Sequence, residues 1–105
     1  MRRLVYLATA KRDLETIFDF IADASADGAQ AERQIAAIDS QCRKLARLKS
    51  MLGRPRPKLG AGLRSLPFKS YLIFFRCSED LLEIVTVIHG HRDIDAIFAE
   101  MDKEL

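Results

Sequence analysis

Apolar and polar positions change their period along the chain, and each change marks an element. Residues 3–8, RLVYLA, form a short apolar run bounded by charge, the mark of a strand. Leu14, Ile17, Phe18, Ile21 and Ala22 then recur at helical spacing, with Asp13, Glu15, Asp19 and Asp23 off that stripe. Thr9 stands where a hydroxyl would cap the first turn. SADG at 25–28 breaks this helix. A longer one is expected from Ala29 to Met51, with Ala31, Ile35, Ile38, Cys42, Leu45 and Leu52 along its seam. So short a link folds the two helices into an antiparallel hairpin. Gly53 is expected to end the second helix, and Pro55 and Pro57 prevent its resumption, so GRPRPKLGAG (53–62) reads as a stiff basic loop.

Beyond the loop the period shortens. Three strands are expected at about 62–67, 70–77 and 81–89, separated by KS and then SED, links short enough only for antiparallel neighbours. HGHRD makes a turn, and Asp93 caps a last helix carrying Ile94, Ile97, Phe98 and Met101 on one face. The order β-α-α-β-β-β-α gives one α+β domain over 1–105: a two-helix antiparallel hairpin packed on a mostly antiparallel sheet of three to four strands. The strand at 70–77 is apolar on both sides. Tyr71, Ile73, Phe75 and Cys77 point one way, and Leu72, Phe74 and Arg76 the other. One side meets the hairpin. The other is covered either by the last helix folding back or by a partner chain, since large exposed apolar patches mark interfaces.

Composition narrows the class. The chain is 49% apolar and 30% charged, too apolar for a disordered tail. No run approaches the roughly 18 apolar residues of a membrane span. The opening MRRLVYLATAKRD echoes a signal peptide, but its apolar part is short and charge follows at once, so a cytoplasmic location is expected. Cys42 and Cys77 sit in apolar patterns without a CxxC pair and read as reduced, buried thiols; no metal set and no cofactor is expected. Charge adds the most. Net charge is only +2, yet no Asp or Glu lies between Ser40 and Ser78, a stretch that holds Arg43, Lys44, Arg47, Lys49, Arg54, Arg56, Lys58, Arg64, Lys69 and Arg76. Such a segment sets up a positive field suited to an acidic protein segment, RNA, or a protein that holds DNA.

Three stretches, AKRDLETIFDFIAD (10–23), GRPRPKLGAGLRSLPFKSYLIFFR (53–76) and IVTVIHGHRDI (84–94), resemble in sequence and order the ParE toxins of the RelE/ParE superfamily. The resemblance implies a cytoplasmic toxin of a type II toxin–antitoxin system, neutralised in a hetero-oligomer by a ParD-type antitoxin. Such a partner has a ribbon-helix-helix part and an acidic tail that folds over the toxin. It also implies DNA gyrase as the target, poisoned by binding, with no membrane and no sequence-specific DNA contact. On that reading Arg54, Arg56, Lys58, Arg64, Lys69, Arg76 and Arg92 are candidates for the target surface, and Leu72, Phe74, Phe98 and Met101 for the antitoxin surface.

Relatives of the RelE type cut mRNA on the ribosome, which is the alternative. That chemistry needs proton carriers and cations at the phosphate, for which His89, His91, Tyr71, Arg64, Lys69 and Arg92 are candidates. The RNase relatives carry a Tyr or His near the C-terminus, and the tail after Asp93, IDAIFAEMDKEL, has neither. No catalytic residue is therefore assigned. Structural roles stand beside the functional ones: His89 as a strand-end residue, Arg92 paired with an acid of the first helix, and Arg64 and Arg76 as scaffold. A plain nucleic-acid binder lacks a recognisable motif here.

Overall fold

The computed structural model describes residues 2–48, 52–90 and 92–103. Its elements are β1 (Arg3–Tyr6), α1 (Ala8–Ser25), α2 (Gly28–Arg47), β2 (Arg54–Pro55), β3 (Arg64–Phe68), β4 (Tyr71–Cys77), β5 (Leu81–His89) and α3 (Ile94–Lys103). The expected order holds, with one addition. The basic loop opens with a two-residue strand, Arg54 pairing Ser65 and Pro55 pairing Arg64. The sheet runs β1-β5-β4-β3-β2. Its β2-β3-β4-β5 part is antiparallel, while β1 lies parallel to β5, joined to the rest through the helical hairpin. Parallel neighbours require a long crossover, which α1 and α2 supply.

Local boundaries depart from expectation in three places. Leu7, not Thr9, is the N-cap of α1, and no side chain caps it; Thr9 lies inside the first turn. Asp27 caps α2 by accepting from the Ala29 and Gln30 amides. That helix stops at Arg47, where Leu48 turns extended, so Gly53 is not its terminator and Leu52 is off the seam and exposed. Gly53 has another use. Its φ is 86°, and a Cβ there would meet the Ser65 carbonyl oxygen at 2.7 Å and the Phe75 ring at 3.0 Å. Only glycine lets the chain enter β2 this close to β3.

The sheet is buried on both faces. Ile73, Phe75, Leu82, Ile84 and Val87 pack with Ala10, Ile38, Cys42, Leu45 and Ala46 of the hairpin. On the other face Leu63, Phe74, Val85, Ile88 and Phe98 form a second cluster, flanked by Leu72, Ile94, Ile97 and Met101. The last helix therefore folds back. Pairing in β5 skips Val85, because Phe74 faces Thr86 while Phe75 faces Ile84. Such a bulge puts one extra residue in a strand and bends it. Beside it, Asp13 of α1 accepts from the Thr86 hydroxyl and, at 3.0 Å, from the Val87 amide. Among the described residues, no helix is long and apolar enough to cross a membrane.

The two thiols differ in setting. Burial, with a smaller contribution from the Asp39 carboxylate, pushes the Cys42 thiol up to about 11, while Cys77 is half-buried and less enclosed. The thiolate is the reactive form. Pulse alkylation of the native protein at neutral pH should label Cys77 well before Cys42, and denaturant should equalise them. Peptide mass analysis showing equal native labelling would mean that the core around Cys42 opens freely.

Candidate functional site

The cations of the acid-free stretch divide into two groups by what their side chains touch. Arg56 donates to the Ser65 hydroxyl at 2.8 Å, and its guanidinium lies 5.8 Å from the centre of the Phe74 ring. Arg64 donates to the Leu52 and Gly53 carbonyls, both at 3.0 Å. Arg76 reaches the Ala61 carbonyl at 3.3 Å. These three hold the 52–63 segment against the edge of the sheet. The loop is stiffened by guanidinium-to-carbonyl bonds as well as by its prolines. Arg54 and Lys58 are exposed on its outer side. Among the described residues, none of these five pairs with a carboxylate, and of the five Arg54 and Lys58 are the exposed ones.

Lys69 and Arg92 are elsewhere. Lys69 occupies the β3–β4 turn at φ 54°, donates to Gln34 of α2 at 3.2 Å and lies 5.7 Å from the Phe68 ring centre. Arg92 follows β5, its amide bonding the His89 carbonyl at 3.1 Å, and its charge helps hold down the Asp13 carboxyl that burial raises. The expected link from Arg92 to an acid of the first helix is thus electrostatic. Asp93 caps α3, its carboxylate accepting from the Ala96 amide at 3.2 Å.

The four residues expected to meet an antitoxin require correction. Phe74 is fully buried and Phe98 is 6% exposed, their rings 4.9 Å apart, while Leu72 and Met101 pack half-buried beside them. Their face is closed by α3, because the amphipathic last helix brings its own apolar stripe to the sheet. Of the nuclease candidates, His91 lies outside the described residues. His89 is exposed and stands edge-on to Tyr71 at 5.6 Å. In the last helix Phe98 is buried in the core.

One cleft brings several candidates together. It has a volume of about 400 Å³ and lies between α1 and the ends of β4 and β5. Asp13, Phe20, Gln34, Tyr71, His89 and Arg92 are among its lining residues. Asp13 and Phe20 were missed at the sequence level, since both fall off the main apolar stripe of α1. The signal was a second stripe on the same helix: 13, 16, 17, 20 and 21 share one face.

The family model for the "ParE toxin of type II toxin-antitoxin system, parDE" matches residues 4–94. A solved structure entitled "Chromosomal ParDE TA system from P. aeruginosa" is similar with a TM-score of 0.73 at 22% identity, over 85% of this chain and 96% of that one. At that identity the likeness shows the shared fold. No curated protein matches the chain.

Proposed function

This chain belongs to the ParE toxin family of type II toxin–antitoxin systems, and from that premise we propose that it acts in the cytoplasm by binding and poisoning DNA gyrase, without catalysis of its own, until a ParD-type antitoxin neutralises it. The observation that carries this reading is the rigid loop whose guanidinium and ammonium groups lack carboxylate partners among the described residues. Uncompensated surface charge steers association with an oppositely charged partner, as a gyrase–DNA complex would be. Arg54 and Lys58 form the contact; Arg56, Arg64 and Arg76 fix the loop that presents them.

Purified protein incubated with gyrase and supercoiled plasmid should accumulate linear DNA. The pair Arg54→Glu/Lys58→Glu should lower that accumulation at least tenfold with the melting temperature nearly unchanged, because exposed substitutions usually shift stability by less than about 0.5 kcal/mol. Full activity of the double variant removes the loop from the contact. Codon-spaced mRNA cuts on translating ribosomes, with gyrase unaffected, would replace the whole reading by the nuclease one.

A further inference from the structure

We propose that the last turn of α2 and the basic loop form one phosphate-binding surface, on which Lys44, Arg47, Arg54 and Lys58 hold the backbone of the DNA that gyrase works on. The inference rests on the reading above and deepens it: these cations touch nucleic-acid phosphate rather than a side chain of gyrase.

Three observations join the helix end to the loop. First, both are tied to the same end of β4. The Arg2 side chain donates to the Leu48 carbonyl at 2.7 Å and to the Ser78 carbonyl at 2.8 Å, and the Arg2 amide donates to the Ala46 carbonyl. Arg64 donates to the Leu52 and Gly53 carbonyls. The charges of Arg2 and Arg64 both act on the Cys77 thiol. Positions 48 and 52 therefore lie at one corner of the sheet, with Arg47 and Arg54 close to them along the chain. Arg2 and Arg64 are positioning residues, since their guanidinium groups bond backbone carbonyls. Second, the outer cations are exposed and uncommitted. Lys44 and Arg47, three residues apart in the last turn of α2, share a helix face, and both are exposed, as are Arg54 and Lys58. Among the described residues none of these four makes an ion pair, although Glu79 and Asp80 stand in the nearby β4–β5 turn. A helix C-terminus carries only about half a negative charge, so two full positive charges on that turn leave a surplus. Third, the surplus has one sign. From Ser40 to Ser78 the chain has no carboxylate. A protein partner of mixed charge is matched by both signs set in register, whereas a uniform line of phosphates is matched by cations alone.

The test titrates the full chain into a labelled, mixed-sequence DNA duplex and follows fluorescence anisotropy at several salt concentrations. Affinity should fall with salt at a log–log slope of about −3.6, the value for four phosphate contacts. Arg47→Ala/Arg54→Ala should bring the slope to about −1.8, each lost cation removing about one contact, with far-ultraviolet circular dichroism unchanged. An unchanged slope in that variant overturns the surface. Leu48→Ser/Leu52→Ser, at the two exposed leucines of the same corner, should bind the duplex within twofold of the parent chain. A tenfold loss in the leucine variant means that an apolar partner, not phosphate, is recognised. Tenfold tighter binding to the RNA duplex of the same sequence would move the surface to RNA. The gyrase assay separates this inference from the reading it rests on. Linear plasmid accumulating while the parent chain fails to bind the duplex at about 50 mM salt overturns the phosphate contact and leaves gyrase as the target. Duplex binding without linear plasmid leaves the phosphate surface and overturns gyrase as the target.

Discussion

Phe74→Ala is expected to cost about 3–5 kcal/mol of folding stability, the range for an aromatic side chain removed from a closed core. Phe74 is fully buried between Leu63, Val85, Ile88 and Phe98, with the Arg56 guanidinium 5.8 Å from its ring centre. A domain of this size has a margin of roughly 5–15 kcal/mol, so the variant should unfold at much lower urea. The same substitution reports on α3. A double-mutant cycle with Phe98→Ala should yield a coupling of about 0.5–1.5 kcal/mol, the value for a contacting aromatic pair. A loss under about 1 kcal/mol from Phe74→Ala, set against that core range, would mean that α3 does not sit on the sheet in solution. The strand face would then be open to a partner after all.

The second large effect is at Asp13. Its carboxylate is the acceptor for the Thr86 hydroxyl and the Val87 amide beside the β5 bulge, and Thr86 is 1% exposed. Asp13→Ala strands two buried donors, and such losses cost about 2–3 kcal/mol. Asp13→Asn keeps an acceptor and should cost less. The two variants also separate hydrogen bonding from charge. Burial raises the Asp13 carboxyl, and the bonds from Thr86 and Val87 and the charges of Arg12 and Arg92 only partly offset this. A carboxyl raised in the folded state contributes stability that is fully present below its unfolded value and is lost as pH rises through its folded value. Asp39 runs the other way. Burial raises it, but hydrogen bonds from Arg43 and Tyr6 outweigh that and leave it lowered, so its contribution disappears as pH falls. The stability of Asp13→Asn relative to the parent chain should therefore improve from about pH 3 to about pH 7, across the ordinary carboxyl range. A difference that stays flat or falls over that span would mean the Asp13 carboxylate is not desolvated.

Much of the fold was legible because its patterns are local. Ala31, Ile38, Cys42 and Leu45 were read as one seam from their spacing and all are buried. The turns at Lys69–Ser70 and Ser78–Asp80 separate strands that pair as read. Boundaries set by backbone geometry were less legible. Nothing local says that α2 ends at Arg47 or that Arg54 and Pro55 join the sheet; β2 exists because β3 offers it an edge and Gly53 permits the approach. Of the site, the cation-rich loop was visible as a stretch without acids. The cleft was not, because its lining comes from α1, α2 and the ends of two strands.

By itself the sequence determined the order of the elements other than β2, the apolar character of both sides of β4 and the segregation of positive charge, since periodicity and composition are properties of neighbours along the chain. Only the tertiary structure decided what covers each apolar side and where each charge is directed. Phe98 reaches Phe74, Asp13 reaches Val87, and Arg64 reaches Gly53. These meetings follow from how the helices dock on the sheet and how the loop returns to its edge, and residue spacing leaves both undetermined. For that reason a strand that reads as greasy on both faces is, in the folded protein, covered on both, and the exposed aromatic is Phe20 on a helix.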